Sequence, residues 1–188
     1  MTDSRRILFI INPISGLGLG KEVPEHIKKL PEYEHVVYDI EFTEYSGHAR
    51  KLVDDARLSG KYTHIVAVGG DGTVNEVGAA LCGSGIAFAV VSLGSGNGFA
   101  RHLGYSIFMS KALKQVLTEQ YVNIDVLQIN DRYSLNVSGV GFDAEVAHEF
   151  NHQKLRGVFS YIYAALKLWF RYPERKYKII SDGKAMKV

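Results

Sequence analysis

The continuous apolar run Ile7–Ile11 and three further predicted strands, Val36–Ile40, His64–Val68 and Ile86–Val91, alternate with stretches of helical character, and this alternation limits the fold more than any other feature. Unbroken apolar runs of this length suit strands buried on both faces, which need helices on either side. The intervening segments supply them: residues 21–30 with Pro24 in the first turn, 47–59 ending before Gly60, Thr73–Leu81, and a helix starting near Asn97. The predicted architecture is α/β, a doubly wound domain around a mostly parallel sheet.

After a further helix over Lys111–Leu117 the pattern changes. Asn123–Ile129, the turn Asn130-Asp131 and Tyr133–Val137 form a hairpin signal. The boundary is therefore set at residue 121, with an α/β domain over 1–121 and the start of a β-rich domain over 122–188. One or two helices between Asp143 and Tyr172, a strand at Tyr177–Ile180 and a turn at Asp182-Gly183 follow. With five residues after that turn, the second domain reads as unfinished, and its open strand edge would favour self-association as a homodimer.

Composition excludes more than it identifies. A hydrophobic content of 46% over 188 residues supports one sizeable core. A formal charge of +2 argues against nucleic acid as a partner and permits weak attraction to an anionic membrane, a peripheral contact. Cys82 is the single cysteine, and the N-terminus lacks the apolar stretch of a signal peptide, which places the chain in the cytoplasm. Val158–Phe170, the longest apolar run, is too short to span a bilayer needing about 20 apolar residues. It reads as a core helix with Tyr161, Ala164, Ala165, Leu168 and Trp169 inward, a membrane-touching helix being the alternative.

Three glycine-bearing segments each follow a predicted strand: Asn12-Pro13-Ile14-Ser15-Gly16, Gly69-Gly70-Asp71-Gly72-Thr73 and Leu93-Gly94-Ser95-Gly96-Asn97. In an open α/β sheet, ligands bind at the carboxyl ends of strands, where all three would gather. Glycine permits positive φ and close backbone approach, so N–H groups and a helix N-terminus can face phosphate oxygens. Asp71, set among glycines, can reach Mg²⁺ or a substrate hydroxyl. Thr73 and Glu76 have the spacing of a capping box, which can coexist with a ligand contact. Two standard motifs fail. Gly18-Leu19-Gly20-Lys21-Glu22 lacks the first glycine and the Ser or Thr of a P-loop, and Phe99 takes the place of the last glycine of G-x-G-x-x-G.

The string Gly69-Gly70-Asp71-Gly72-Thr73-Val74-Asn75-Glu76 resembles the diacylglycerol kinase catalytic family, which includes bacterial lipid kinases, sphingosine kinases and ceramide kinases. Supporting it in order are Asn12-Pro13 with Ser15-Gly16, Thr43 with Gly47-His48-Ala49, Gly94-Ser95-Gly96-Asn97 with Phe99-Ala100-Arg101, and Gly139 to Ala144. The resemblance implies a lipid kinase that moves the γ-phosphoryl group of ATP to a lipid hydroxyl with Mg²⁺. It implies ATP contacts at Asn12, Thr43, Gly70, Asp71, Gly72, Thr73, Asn75, Glu76 and Ser95, and an acidic residue near the lipid at Glu145. Asp71 matches the proposed base of sphingosine kinases, whereas in the bacterial branch the base and a structural Mg²⁺ site lie beyond Val188. Ser95 stands where many bacterial members carry threonine, and Gly98 departs from their aspartate. The glycine turn alone also occurs in kinases of soluble substrates, and a non-catalytic nucleotide-binding fragment is a further alternative.

One competing motif is His148-Glu149-Phe150-Asn151-His152, the H-E-x-x-H of zinc hydrolases. Chance alone produces it in roughly one or two chains in a hundred of this composition. The metzincin continuation would need glycine at Leu155 and histidine at Val158, and zinc would leave the glycine turns unexplained.

Overall fold

The computed structural model describes residues 5–152, 158–169, 172–173, 175–181 and 183–187. The strands β1 (Arg6–Ile11), β2 (Val37–Phe42), β3 (His64–Gly69) and β4 (Ala87–Ser92) form one parallel sheet in the order β2-β1-β3-β4. The inner strands carry the unbroken apolar runs, and Ile7 to Ile11 and Ile65 to Val68 are buried. Alternate side chains serve opposite faces. Leu8, Ile10, Ile65, Ala67 and Val90 pack under α2 (His48–Ser59), α3 (Asp71–Leu81) and α4 (Gly98–His102). Ile7, Phe9, Ile11, Val66, Val68 and Val91 pack under α1 (Val23–Lys28) and α5 (Met109–Val116). Each fully buried branched side chain contributes about 1.5–3 kcal/mol, so this double-sided burial dominates the stability of the layer. The doubly wound arrangement expected from the alternation is present.

Tyr33, which ends a short 3₁₀ turn at Pro31–Tyr33, fastens the α1 side of the sheet. Its hydroxyl donates to the carbonyl oxygen of Leu113 at 2.7 Å, and its ring meets those of Phe9 and Tyr38. Burial pushes the phenol above the ordinary tyrosine range. A raised folded-state pKa means that the native chain holds this proton more tightly than the unfolded one. The associated stability is complete below pH ~10 and is lost as pH rises further. Tyr33→Phe is expected to cost about 1 kcal/mol at neutral pH and to flatten the alkaline decline. Denaturant titrations at neutral and alkaline pH measure both effects.

Contacts divide the chain into two compact units, 1–137 and 138–188. The antiparallel hairpin of β5 (Leu127–Ile129) and β6 (Arg132–Ser134), turning at Asn130 with φ 53°, lies in the first. It packs on α3, with Leu135 joining the core cluster of that face. The second unit contains α6 (Phe142–His152), α7 (Val158–Trp169) and the hairpin of β7 (Lys178–Ser181) and β8 (Lys184–Lys187). On α7 the expected inward set is corrected. Ala164 is buried and Ala165 and Leu168 half-buried, but Tyr161 and Trp169 are exposed. The reason is that α6 covers only one narrow stripe, meeting Tyr161 and Trp169 edge-on through Phe150 and Phe142. Among the described residues no helix is long and apolar enough to cross a membrane.

Candidate functional site

Strand order reverses between β1 and β3, so their carboxyl ends open the crevice where ligands bind in such sheets. Asn12 stands at the end of β1, its N–H donating to the carbonyl of Val68 at 2.9 Å. Its Oδ1 accepts from the Ile14 N–H at 3.2 Å, and its Nδ2 reaches Thr73 Oγ1 at 3.4 Å. Thr43 follows β2 and donates its N–H to the carbonyl of Ile11. Asn12 and Thr73, far apart in sequence, are thus brought together, while Thr43 is held beside the same strand end.

The glycines of the two central turns are needed for close approach. An added Cβ on Gly94 would stand 2.9 Å from Gly70 Cα and from Asn97 Oδ1. One on Gly69 would meet Thr73 at 2.7 Å, and one on Gly96 would meet Asp71 Oδ2 at 2.8 Å. In these two turns the glycines supply close approach and not positive φ: none of Gly69, Gly70, Gly72, Gly94, Gly96 and Gly98 adopts it, and the left-handed residue here is Asn97, with φ 52°. Among the three segments it is Gly16 of the first that uses positive φ, at 63°. Gly72 sits in the first turn of α3, and a Cβ added to it would meet nothing within 4 Å, so the cradle has one open side there. Ser95 is exposed on the neighbouring turn.

Asp71 joins the two turns. Its Oδ2 accepts from the Asn97 N–H and its Oδ1 from the Gly98 N–H, both at 3.0 Å, so its carboxylate caps the start of α4. The sequence context of Asp71 suggested only a metal or a hydroxyl as its partner. The capping box is also corrected. The helix begins at Asp71 with Gly70 as its N-cap, two residues earlier than expected, and no side chain caps it. Thr73 is instead buried at the third helical position, and Glu76 accepts from the Gly47 N–H at 3.1 Å, holding the start of α2.

Asn75 faces the hairpin. Its Oδ1 accepts from the Leu135 N–H at 3.1 Å and its Nδ2 lies 3.4 Å from the Tyr133 carbonyl oxygen. Asn75→Ala is expected to cost about 1–2 kcal/mol by leaving the Leu135 N–H without its acceptor. Faster amide exchange at Leu135 in the variant checks this.

In the second unit, Glu145 pairs with Arg175 at 2.9 Å, and the guanidinium also lies over the Tyr172 ring. The H-E-x-x-H residues do lie on one helix, α6, but Glu149 is bound to Lys167. The side chain of His152 falls outside the described residues, and among those described no group of three potential ligands is assembled for a metal. The feature missed from sequence is Asn97 Oδ1, buried between the glycine turns with no hydrogen-bond partner among the described residues. Its position between Gly96 and Gly98 was the available signal, since asparagine is among the few residues that accept a left-handed backbone.

Known proteins agree with this arrangement. The profile of the diacylglycerol kinase catalytic domain matches residues 6–129. A Citrobacter koseri protein named "Probable lipid kinase YegS-like" is 34% identical over 171 residues, which are 86% of this chain and 56% of the relative. An Escherichia fergusonii protein named "Probable lipid kinase YegS" is 30% identical over 184 residues, 93% of this chain and 60% of the relative. The crystal structure of a diacylglycerol kinase from Bacillus anthracis superposes with a TM-score of 0.71 at 26% identity, covering 98% of this chain and 61% of that one. The chain spans little more than half the length of these relatives. With the profile matched across the whole parallel sheet and into the first hairpin, the chain belongs to the diacylglycerol kinase catalytic domain family.

Proposed function

We propose that this chain binds ATP at the glycine turns and serves a lipid kinase that transfers the γ-phosphoryl group to a lipid hydroxyl. The observation that carries this reading is the packing of the Gly70 and Gly94 turns against each other beside the open first turn of α3. Backbone N–H groups and the positive end of α3 favour phosphate there, and Gly72 leaves room for it. Asn12 and Thr73 line the β1 side, and Ser95 the β4 side. Mg²⁺ fits the oxygen donors of the site, the Asp71 carboxylate and Asn97 Oδ1, which has no hydrogen-bond partner among the described residues, and when bound would offset charge on the phosphates. Asp71 holds the Gly94 turn in place through two N–H groups, and Glu76 holds the 43–47 loop. Such positioning supplies most of the catalysis in phosphoryl transfer. The acceptor is read as a lipid from the relatives' names, with peripheral membrane contact at the cytoplasmic face.

The test is transfer of labelled phosphate from ATP to diacylglycerol, a sphingoid base and soluble hydroxyl compounds, with ATP binding measured by calorimetry. Binding needs only the turns, whereas transfer also needs an aligned acceptor. The expected result is clear Mg²⁺-dependent ATP binding with slow labelling of lipid. Labelling of soluble acceptors alone, or no ATP binding, would sink the proposal.

A further inference from the structure

Gly16, Leu17 and Gly18 lie successively in the left-handed region, with φ 63°, 59° and 97°. Such a backbone is uncommon for leucine. The loop is closed at its base. A Cβ on Gly16 would stand 2.9 Å from the Leu93 carbonyl oxygen, and Gly20 is buried against the carbonyl of Asn12. What the turn holds out is apolar: Leu17 is fully exposed at 106%, Ile14 at 78% and Leu19 at 44%. No charged residue lies between Asn12 and Gly20, and exposed Lys21 follows. A single exposed leucine is ordinary. Three apolar side chains within six residues, carried by a disfavoured backbone while the base of the loop is packed, form a built projection.

We infer that residues 14–19 are an apolar finger that inserts into the interfacial layer of a lipid bilayer, which rests on the lipid-acceptor reading above. The loop leaves β1 at Asn12, whose side chain touches Thr73 of the first turn of α3, so finger and phosphate cradle share one rim. An acceptor hydroxyl confined to the bilayer surface meets the γ-phosphate only if that rim faces the bilayer. Ile14, Leu17 and Leu19 suit the acyl boundary and Lys21 the headgroup phosphates. Three side chains fall well short of the surface of about 800 Å² per partner in a stable protein interface, which disfavours a second copy as occupant.

Cosedimentation of the 188-residue chain with phosphatidylglycerol-containing vesicles tests this. Leu17→Ser is expected to lower the partition coefficient about tenfold. Leu17→Gly suits the left-handed backbone and must lose partition equally, which separates docking from misfolding. Leu58→Ser removes an exposed leucine from α2 and should change nothing. In a Trp169→Phe background, the indole of Leu17→Trp should be quenched by lipids brominated on their acyl chains. Unchanged partition of both Leu17 variants, or an unquenched indole on vesicle-bound protein, overturns the inference. A Leu17-dependent dimer in lipid-free buffer also overturns it, by assigning the loop to a second copy. Leu17-dependent vesicle binding in a chain that phosphorylates no lipid would overturn the acceptor reading alone.

Discussion

Gly72→Val is expected to leave the fold standing while lowering Mg²⁺–ATP affinity by about tenfold to a hundredfold. Valine is better tolerated than glycine in a helix interior, and nothing lies within 4 Å of the position its Cβ would take, so the stability change should stay within about 1 kcal/mol. The same open side is where phosphate would meet the first N–H groups of α3, and a branched side chain there excludes it. Gly94→Ala makes the contrast. Its methyl would press on Gly70 Cα, so stability and affinity should fall together. Calorimetric titration paired with denaturant unfolding separates the two cases. Equal ATP affinity in wild type and Gly72→Val would mean that the cradle is elsewhere.

Asp71→Asn should reduce phosphoryl transfer by about a hundredfold or more in a chain competent for it, at a stability cost of about 1 kcal/mol. The carboxylate has two acceptor oxygens, and both are used, on the Asn97 and Gly98 N–H groups. An asparagine offers one oxygen and turns an N–H₂ toward the other backbone donor, so one bond is lost and one repulsion gained. The Gly94 turn is then free to drift from α3, and the negative charge near the start of α4 disappears. The relevant comparison is kcat against unfolding free energy in the same variant. Near-normal kcat with the stability loss intact would leave Asp71 as a structural clamp only, with no part in the chemistry.

Much of the layer was legible because burial on both faces demands unbroken apolar runs. Ile7–Ile11 and His64–Val68 are the two inner strands, and such runs have few other uses in a chain of this size. Gly60 could be read as a helix stop because its left-handed backbone is a local property, φ 61°, and so could the hairpin turn at Asn130. Local signals also placed the three glycine segments at strand ends. They could not say why the glycines were required. Whether a Cβ is forbidden at Gly94 depends on Gly70, far back in the chain, and only the parallel pairing of β3 with β4 sets those turns against each other.

Side-chain partners divided the same way. The spacing of Thr73 and Glu76 permitted a capping box, but the carboxylate of Glu76 is within reach of the Gly47 N–H only after α2 and α3 pack side by side. Tyr161 and Trp169 followed a helical period and still ended exposed, since period defines a face and not what covers it. The parallel α/β layer, the glycine turns at its strand ends and the family were all written in the chain itself, because they rest on local backbone preference and on patterns of burial. Folding had to be complete before Asp71 could clamp one turn to the other, Asn75 hold the hairpin and Leu17 stand clear of the surface, because each depends on how segments distant in the chain come to lie beside one another.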